Sequence, residues 1–177
     1  MSNATISFFV LITFVILQRL LELRLAKSNT KALLKRGATE FGRNHYWLLV
    51  TMHTLFFVSL LVEGISHPLE LSKIWYFYIF IFALAQMGRI WVIRTLNGRW
   101  TTRILVLSGE KLVRTGPFQY ISHPNYWVVA IELLVLPLIF NLYVTATAFS
   151  LLNAFVLLAI RLPVEKRALR GSPTGLH

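Results

Sequence analysis

Long apolar runs, separated by basic or turn-forming stretches, constrain the fold of this chain more than any other feature. Residues 5–23, 46–62 and 74–95 are each close to the length that an α-helix needs to cross a bilayer. Residues 127–160 form a longer apolar run in which Glu132 is the single charge, and Pro137 and Asn141 interrupt it. We therefore predict a tight helical hairpin there, at about 127–140 and 143–161.

The composition agrees with a membrane protein. The chain is 56% hydrophobic and 14% charged, whereas soluble domains average about 25% charged residues. The predicted fold is an all-α integral membrane protein with five transmembrane helices, of which the last two form the hairpin. At 177 residues the length suits a single domain, predicted over 1–170, with a flexible tail at 171–177.

The charges are distributed unevenly between the connections. The chain has 18 Lys and Arg against seven acidic residues, all of them Glu, and the basic residues cluster in 27–43, 99–114 and 161–170. The stretch 63–73 has two Glu and one Lys. The positive-inside rule then places the N-terminus outside and the C-terminus in the cytoplasm. Because the basic clusters lie between apolar spans, we expect membrane lipids as partners and no nucleic acid. The first run lacks the features of a signal peptide, so it is expected to be a retained span.

Two polar connections precede spans on the cytoplasmic side. Residues 27–43 are expected to form a basic loop, with a short interfacial helix over 31–36 that ends at Gly37. Residues 96–122 form the longest connection, and turn signals bracket its apolar run 104–107. This pattern predicts a small β-hairpin on the membrane surface.

Ionisable residues within the spans need partners. Arg19 and Glu22 lie three apart on one helix face, either as an interfacial end or as a pair turned into the bundle. Glu132 shares a face with Asn125, two turns deeper, and Arg89 is its nearest partner by depth. An interhelical ion pair and a direct substrate contact both remain open for Glu132.

The stretch 115–127, TGPFQYISHPNYW, is a polar insert in front of the hairpin. Pro124 disfavours the right-handed helical region for His123, which is therefore expected in a turn at the mouth of a helix. Arg161 and Glu165 are four apart, and Pro163 between them should kink or restart the helix. All these polar groups fall on one side of the membrane, where a site would meet a water-soluble cofactor and a lipophilic substrate. The chain has no cysteine, which excludes thiol nucleophiles and zinc–thiolate sites, and we predict no metal site.

These residues carry a family resemblance. GPFQYISHPNY at 116–126, the apolar hairpin and RLPVE at 161–165 resemble the isoprenylcysteine carboxyl methyltransferase family of integral membrane enzymes, which use S-adenosyl-L-methionine. QRLLEL at 18–23, GATE at 37–40 and His45-Tyr46 are similar to a bacterial branch that O-methylates long-chain alkylpyrones. Ser122 stands where the family usually has Arg, and Lys166 where many members have a second Glu.

The resemblance implies O-methylation of a lipophilic acidic substrate that enters from the bilayer, at the cytoplasmic face of a bacterial inner membrane. A 4-hydroxy-2-pyrone with a long alkyl chain is the expected acceptor. The alternatives are carboxyl methylation of isoprenylcysteine-like substrates and a non-enzymatic scaffold or channel. The implied catalytic residues are Arg161 and Glu165. The implied cofactor-binding residues are Tyr120, His123, Pro124, Asn125, Tyr126 and Glu165, and the implied substrate-binding residues are Arg89, Glu132, His45, Tyr46, Arg19 and Glu22.

Overall fold

The protein is mostly helical. The computed structural model describes residues 2–170, so the tail predicted at 171–177 lies outside the described residues and the domain limits stay a prediction. The helices are α1 (Asn3–Lys35), α2 (Tyr46–Ser66), α3 (Trp75–Leu96), α4 (Pro124–Leu138), α5 (Tyr143–Phe155) and α6 (Leu162–Arg170). A π-helical segment, Val156–Arg161, joins α5 to α6. Short 3₁₀ turns cover Arg43–His45, Asn97–Arg99 and Gly116–Gln119.

Within residues 2–170, four helical stretches are long and apolar enough to cross a membrane: Asn3–Lys35, Arg43–Ser66, Trp75–Arg99 and Tyr143–Leu169. Helix α4 is apolar but has 15 residues, which span about 22 Å. Helix α4 packs against α3. It also packs against α5, and α4 and α5 together form an antiparallel helical hairpin. The turn of this hairpin is tight because Asn141 adopts a left-handed conformation, with φ 57°.

Helix α1 is longer than the sequence analysis predicts. The expected basic loop from 27 and the separate interfacial helix over 31–36 are wrong, because α1 continues unbroken to Lys35. No Gly or Pro occurs between residues 3 and 36, so nothing in that stretch interrupts the helix. Gly37, at φ +88°, ends it in a Schellman motif, in which the Ala38 and Gly37 amides donate to the carbonyls of Leu33 and Leu34.

The predicted local β-hairpin is also wrong. Residues 104–106 do form a strand, β2 (Ile104–Val106), but its partner is β1 (Thr39–Phe41), before α2. The two strands are antiparallel, with Glu40 opposite Leu105 and Phe41 opposite Ile104. The backbone groups of a three-residue strand need hydrogen-bond partners, and β1, in the segment that follows α1, supplies them. The α1–α2 and α3–α4 connections are thereby joined into one unit.

The core divides along the length of the bundle. A large apolar cluster holds α1, α2, α3 and α4 together, and its fully buried members include Phe8, Leu60 and Leu136. A smaller cluster of Ala26, Val92 and Trp100 packs the far end of α1 against the α3–α4 connection. Between and beyond these clusters lie the polar groups described next. We use the term polar end for residues 24–46, 97–126 and 160–170, which meet at one end of the helices.

Candidate functional site

The polar end brings together the first turn of α4 and the junction between α5 and α6. The α4–α5 hairpin is antiparallel, so its two open ends lie side by side even though about 35 residues separate them in sequence. The Tyr126 hydroxyl donates to Glu165 Oε2 at 2.5 Å and accepts from Arg161 Nε at 3.2 Å. His123 Nδ1 lies 3.5 Å from Glu165 Oε1. The four side chains form one connected group.

Tyr126 is the centre of this group. It lies in the first turn of α4, outside the four helical stretches that are long enough to cross a membrane. The Tyr126 phenol is half-buried, and its hydroxyl donates to the neighbouring Glu165 carboxylate. The Tyr126 and His123 rings are stacked, with centroids 5.2 Å apart and planes 12° from parallel.

The local sequence explains how His123 is placed. His123 is the N-cap of α4, at φ −132° and ψ 64°, and Pro124 occupies the first helical position. The sequence prediction of a turn outside the right-handed helical region is therefore confirmed for His123. Next to it, Asn125 has a buried side-chain oxygen that lacks a hydrogen-bond partner within residues 2–170. Such an atom is costly to leave unpaired, so it can accept from an N–H or O–H donor of water or of a bound molecule.

Arg161 also borders a small cavity, on the side towards α2. Five apolar residues line most of it, and Arg161, His45 and Gly42 complete the lining; the apolar residues are Leu49, Ile104, Val156, Ile160 and Val164. Gly42 closes this cavity against α6. A side chain at Gly42 would start 2.8 Å from Val164 Cγ1, and the backbone there has φ +65°, so glycine is required for the close approach.

Tyr46 is linked to the same group through Thr102. The Tyr46 hydroxyl lies 3.2 Å from Thr102 Oγ1, and the Thr102 carbonyl accepts a hydrogen bond from Arg161 Nη2 at 3.0 Å. Both predicted residues of the His45-Tyr46 pair thus approach Arg161 from the α2 side. Thr102 is missing from the predicted set because its contribution to Arg161 is a backbone carbonyl, which any residue carries.

The remaining predicted substrate-binding residues form a separate cluster deeper in the bundle. Arg89 Nε donates to Glu132 Oε1 at 3.1 Å, and Arg19 donates to Glu22 and to Glu132, at 2.5 Å each. The predicted partnership of Arg89 with Glu132 is confirmed. Of the two alternatives left open for Arg19 and Glu22, the structure favours the pair turned into the bundle over the interfacial end. Both Arg89 and Glu132 are buried.

Two glutamines that the sequence analysis did not select complete this cluster. Gln86 donates to Glu132 Oε1 at 2.7 Å, and Gln18 donates to Glu22 and to Gln86, at 2.9 and 2.6 Å. All four carboxylate oxygens of Glu22 and Glu132 accept bonds within the cluster. Two positive and two negative side chains balance, which fits the ion-pair alternative for Glu132 better than the substrate contact.

Tyr120 does not join the site. It follows the 3₁₀ turn Gly116–Gln119, and 78% of its surface is exposed. The two departures from the family pattern, Ser122 and Lys166, are also exposed at the surface. Glu165, and not its neighbour at 166, is the residue that faces Tyr126.

Comparison with known proteins identifies the family of the chain. A Bacillus subtilis (strain 168) protein named uncharacterized protein YpbQ is 40% identical to this chain over 163 residues, covering 92% of the chain and 96% of the relative. An uncharacterized protein of Haemophilus influenzae is 30% identical over 166 residues, covering 91% of the chain and 95% of the relative. No solved structure gives a significant match. The sequence profile of one family matches residues 75–171, more than half of the chain, and its match includes α3, the hairpin and both halves of the Tyr126 group. The chain therefore belongs to the isoprenylcysteine carboxyl methyltransferase (ICMT) family.

Proposed function

We propose that the protein is an integral membrane O-methyltransferase that methylates an acidic oxygen of a lipophilic acceptor, of the long-chain 4-hydroxy-2-pyrone (alkylpyrone) class. The observation that carries the proposal is the position of Arg161. Arg161 borders a small, mostly apolar cavity, and its guanidinium is hydrogen-bonded to Tyr126 and, through it, connected to Glu165. A cation in an apolar setting suits an anionic head group on a lipophilic body.

The residues beside Arg161 fit the methyl donor of the family, S-adenosyl-L-methionine. The unpaired Asn125 oxygen can accept from its ammonium, adenine amino or ribose hydroxyl groups. Glu165 and the stacked His123 and Tyr126 rings offer a carboxylate and an aromatic face, both of which attract a cation. We assign donor binding to His123, Asn125, Tyr126 and Glu165, with Pro124 fixing the turn. When bound, S-adenosyl-L-methionine would supply an electrophilic methyl carbon on a positively charged sulfur.

The chain then has two tasks, to orient the acceptor and to keep water away. Within residues 2–170, Arg161 Nε and Nη2 are used by Tyr126 and Thr102, and Nη1 makes no hydrogen bond. We assign Nη1 to the acceptor oxyanion. A 4-hydroxy-2-pyrone is acidic enough to bind as its enolate, so Arg161 can hold the nucleophile without a separate base. Positioning of this kind provides much of the acceleration of a displacement reaction.

For the membrane arrangement we propose that α4 and α5 together supply the fourth and fifth spans. The N-terminus then lies outside, and the polar end faces the cytoplasm of a bacterial inner membrane. This arrangement is supported by the charge distribution, since 15 of the 18 Lys and Arg residues fall in or next to the connections of the polar end. Acceptors would enter from the bilayer and the donor from the cytosol.

The proposal is tested with purified protein in detergent. We expect saturable binding of S-adenosyl-L-methionine by calorimetry, weakened by His123→Ala. With labelled donor, we expect transfer to 4-hydroxy-2-pyrones that carry alkyl chains, and loss of transfer in Arg161→Ala with an unchanged melting temperature. Arg99→Ala is a matched control, because Arg99 is a cation of the same end that bonds the Lys111 carbonyl instead.

The acceptor panel includes prenylcysteines. Transfer to these compounds alone would keep the methyltransferase and replace the acceptor. Absence of both donor binding and transfer would overturn the proposal and favour a scaffold or channel, in which Arg161→Lys and Glu165→Gln should be harmless.

A further inference from the structure

A line of contacts runs from the two-stranded sheet to Arg161. It begins at Glu40 on β1, whose carboxylate accepts from Arg103 Nη1 at 2.6 Å. The Arg103 guanidinium lies over the Tyr46 ring, with its central carbon 4.6 Å from the ring centroid. The Tyr46 hydroxyl meets Thr102 Oγ1, and the Thr102 carbonyl receives Arg161 Nη2. Each member contacts the next, from a strand before α2 to the guanidinium of the site.

The sheet explains why this line needs tertiary structure. Thr102 and Arg103 immediately precede β2, and Glu40 is the middle residue of β1. Pairing of Glu40 with Leu105 and of Phe41 with Ile104 sets the register between the two connections. The Glu40–Arg103 ion pair then fixes the N-terminal end of β2. The Thr102 carbonyl lies just before this end and accepts a hydrogen bond from Arg161. The Glu40 side chain is 13% exposed and that of Arg103 32% exposed, so solvent screens the pair only partly.

We propose that Glu40, Arg103 and Tyr46 form a brace that positions Arg161 for the reaction, acting through the Thr102 carbonyl. This inference rests on the proposed function, because it concerns the orientation of the same guanidinium. With Nε held by Tyr126 and Nη2 held by Thr102, two of the three guanidinium nitrogens are fixed, and Nη1 makes no hydrogen bond within residues 2–170. Without the brace, the Thr102 carbonyl loses its fixed place and Arg161 keeps one of its two anchors. These three residues are positioning residues, because they act on Arg161 through the Thr102 carbonyl.

The brace predicts a particular pattern of kinetic change. Misplacing a reacting group by about 1 Å can lower a rate by roughly 100-fold. We therefore expect Arg103→Ala to lower kcat for methyl transfer by about 10- to 100-fold, while the Kd for S-adenosyl-L-methionine stays within about twofold. Donor binding is spared because, within residues 2–170, no hydrogen bond or ion pair joins Glu40, Arg103 or Tyr46 to the donor-binding residues His123, Asn125 and Glu165.

Conservative variants separate positioning from general damage. Tyr46→Phe and Thr102→Val each remove one side of a single hydrogen bond and preserve the shape, so they remain informative if Arg103→Ala does not fold. We expect each to lower kcat by several-fold. Arg103→Lys keeps the charge for Glu40 and the cation over the ring, and should recover part of the loss. Tyr46→Phe combined with Arg103→Ala should be no worse than Arg103→Ala alone, because both act on one line of contacts.

The experiment measures kcat, acceptor KM and donor Kd on each purified variant, with Arg99→Ala as the matched control. Wild-type kcat in Arg103→Ala, Tyr46→Phe and Thr102→Val, together with loss of turnover in Arg161→Ala, would overturn the brace and leave the proposed function intact. A parallel fall of kcat and donor binding capacity in these variants would also overturn it, since that result indicates a structural role. Failure of the proposed function is distinct, because the unmutated protein would then neither bind donor nor transfer methyl groups.

Discussion

At the scale of single residues, the site depends on a few atoms with fixed roles. Arg161 is held through Nε and Nη2, Glu165 through the Tyr126 hydroxyl, and His123 by the proline that follows it. The residue types could be selected from the sequence, because an imidazole, an amide and a phenol stand together before an apolar run. Their partners could not, since Tyr126 and Glu165 are 39 positions apart.

Tyr126→Phe tests the central hydroxyl. The change deletes the oxygen that accepts from Arg161 and donates to Glu165, while the ring still stacks on His123. We expect kcat for methyl transfer to fall by roughly 10- to 100-fold, and donor affinity to change less. The free energy of unfolding should fall by about 1–2 kcal/mol for the two lost bonds. Both are measured on purified protein, by turnover of labelled donor and by thermal unfolding.

The control for this variant is Tyr143→Phe. Tyr143 donates a hydrogen bond to Asn141 at 3.0 Å, at the opposite end of the hairpin. Its loss should leave kcat unchanged. Equal kcat in the Tyr126→Phe variant and the unmutated protein would contradict the role given to Tyr126.

At the scale of helices, the buried charge cluster fastens α1 to the rest of the bundle. Arg19 and Glu22 belong to α1, Arg89 to α3 and Glu132 to α4, so their bonds cross three helices. The sequence predicts the pairing of Arg89 with Glu132 because a charge at membrane depth requires a partner. It does not predict that one carboxylate serves two arginines and a glutamine. That arrangement depends on how three helices are rotated about their axes.

Removal of one member of this cluster should destabilise the protein strongly. Glu132→Met leaves Arg19 and Arg89 buried with Glu22 as their remaining carboxylate, and we expect a cost of about 3–5 kcal/mol in unfolding free energy. The double variant Arg89→Met with Glu132→Met keeps the balanced Arg19–Glu22 pair and should be more stable than Glu132→Met alone. Thermal unfolding in detergent measures the three proteins.

Glu110→Ala supplies the comparison for this prediction. Glu110 pairs with Arg36 and Arg99 at the protein surface, where an ion pair contributes about 1 kcal/mol or less. A loss of stability in Glu132→Met no larger than that in Glu110→Ala would show that the cluster does not fasten the helices.

At the scale of the whole molecule, the polar end gathers residues from both halves of the chain. β1 and β2 join the α1–α2 and α3–α4 connections, and α6 packs against both strands. The opposite end is closed by contacts such as that of the Ser72 amide with the Ile139 carbonyl. The two ends should therefore lie on opposite sides of the membrane.

Introduced cysteines can test this topology, because the natural chain has none. Ser108 is exposed at the polar end and Ser66 is exposed at the end of α2. We expect a membrane-impermeant maleimide to label Ser66→Cys in intact spheroplasts, and Ser108→Cys only in inside-out vesicles. The chain without added cysteine is the control for background labelling. The reverse pattern would place the polar end outside the cell and contradict the proposed orientation.

The sequence by itself determines that this chain folds as membrane-crossing helices, where the hairpin turns, and which polar residues border the spans. It does so because apolar run length, proline and the cost of unpaired charge act locally or at a defined depth. The tertiary structure decides the rest. The pairing of β1 with β2 and the arrangement of Thr102, Tyr126 and Glu165 around Arg161 both follow from long-range packing. Hydrogen bonds between distant segments depend on how each helix is rotated about its axis and on the contact between the α1–α2 and α3–α4 connections. The spacing of residues along the chain does not specify that rotation or that contact.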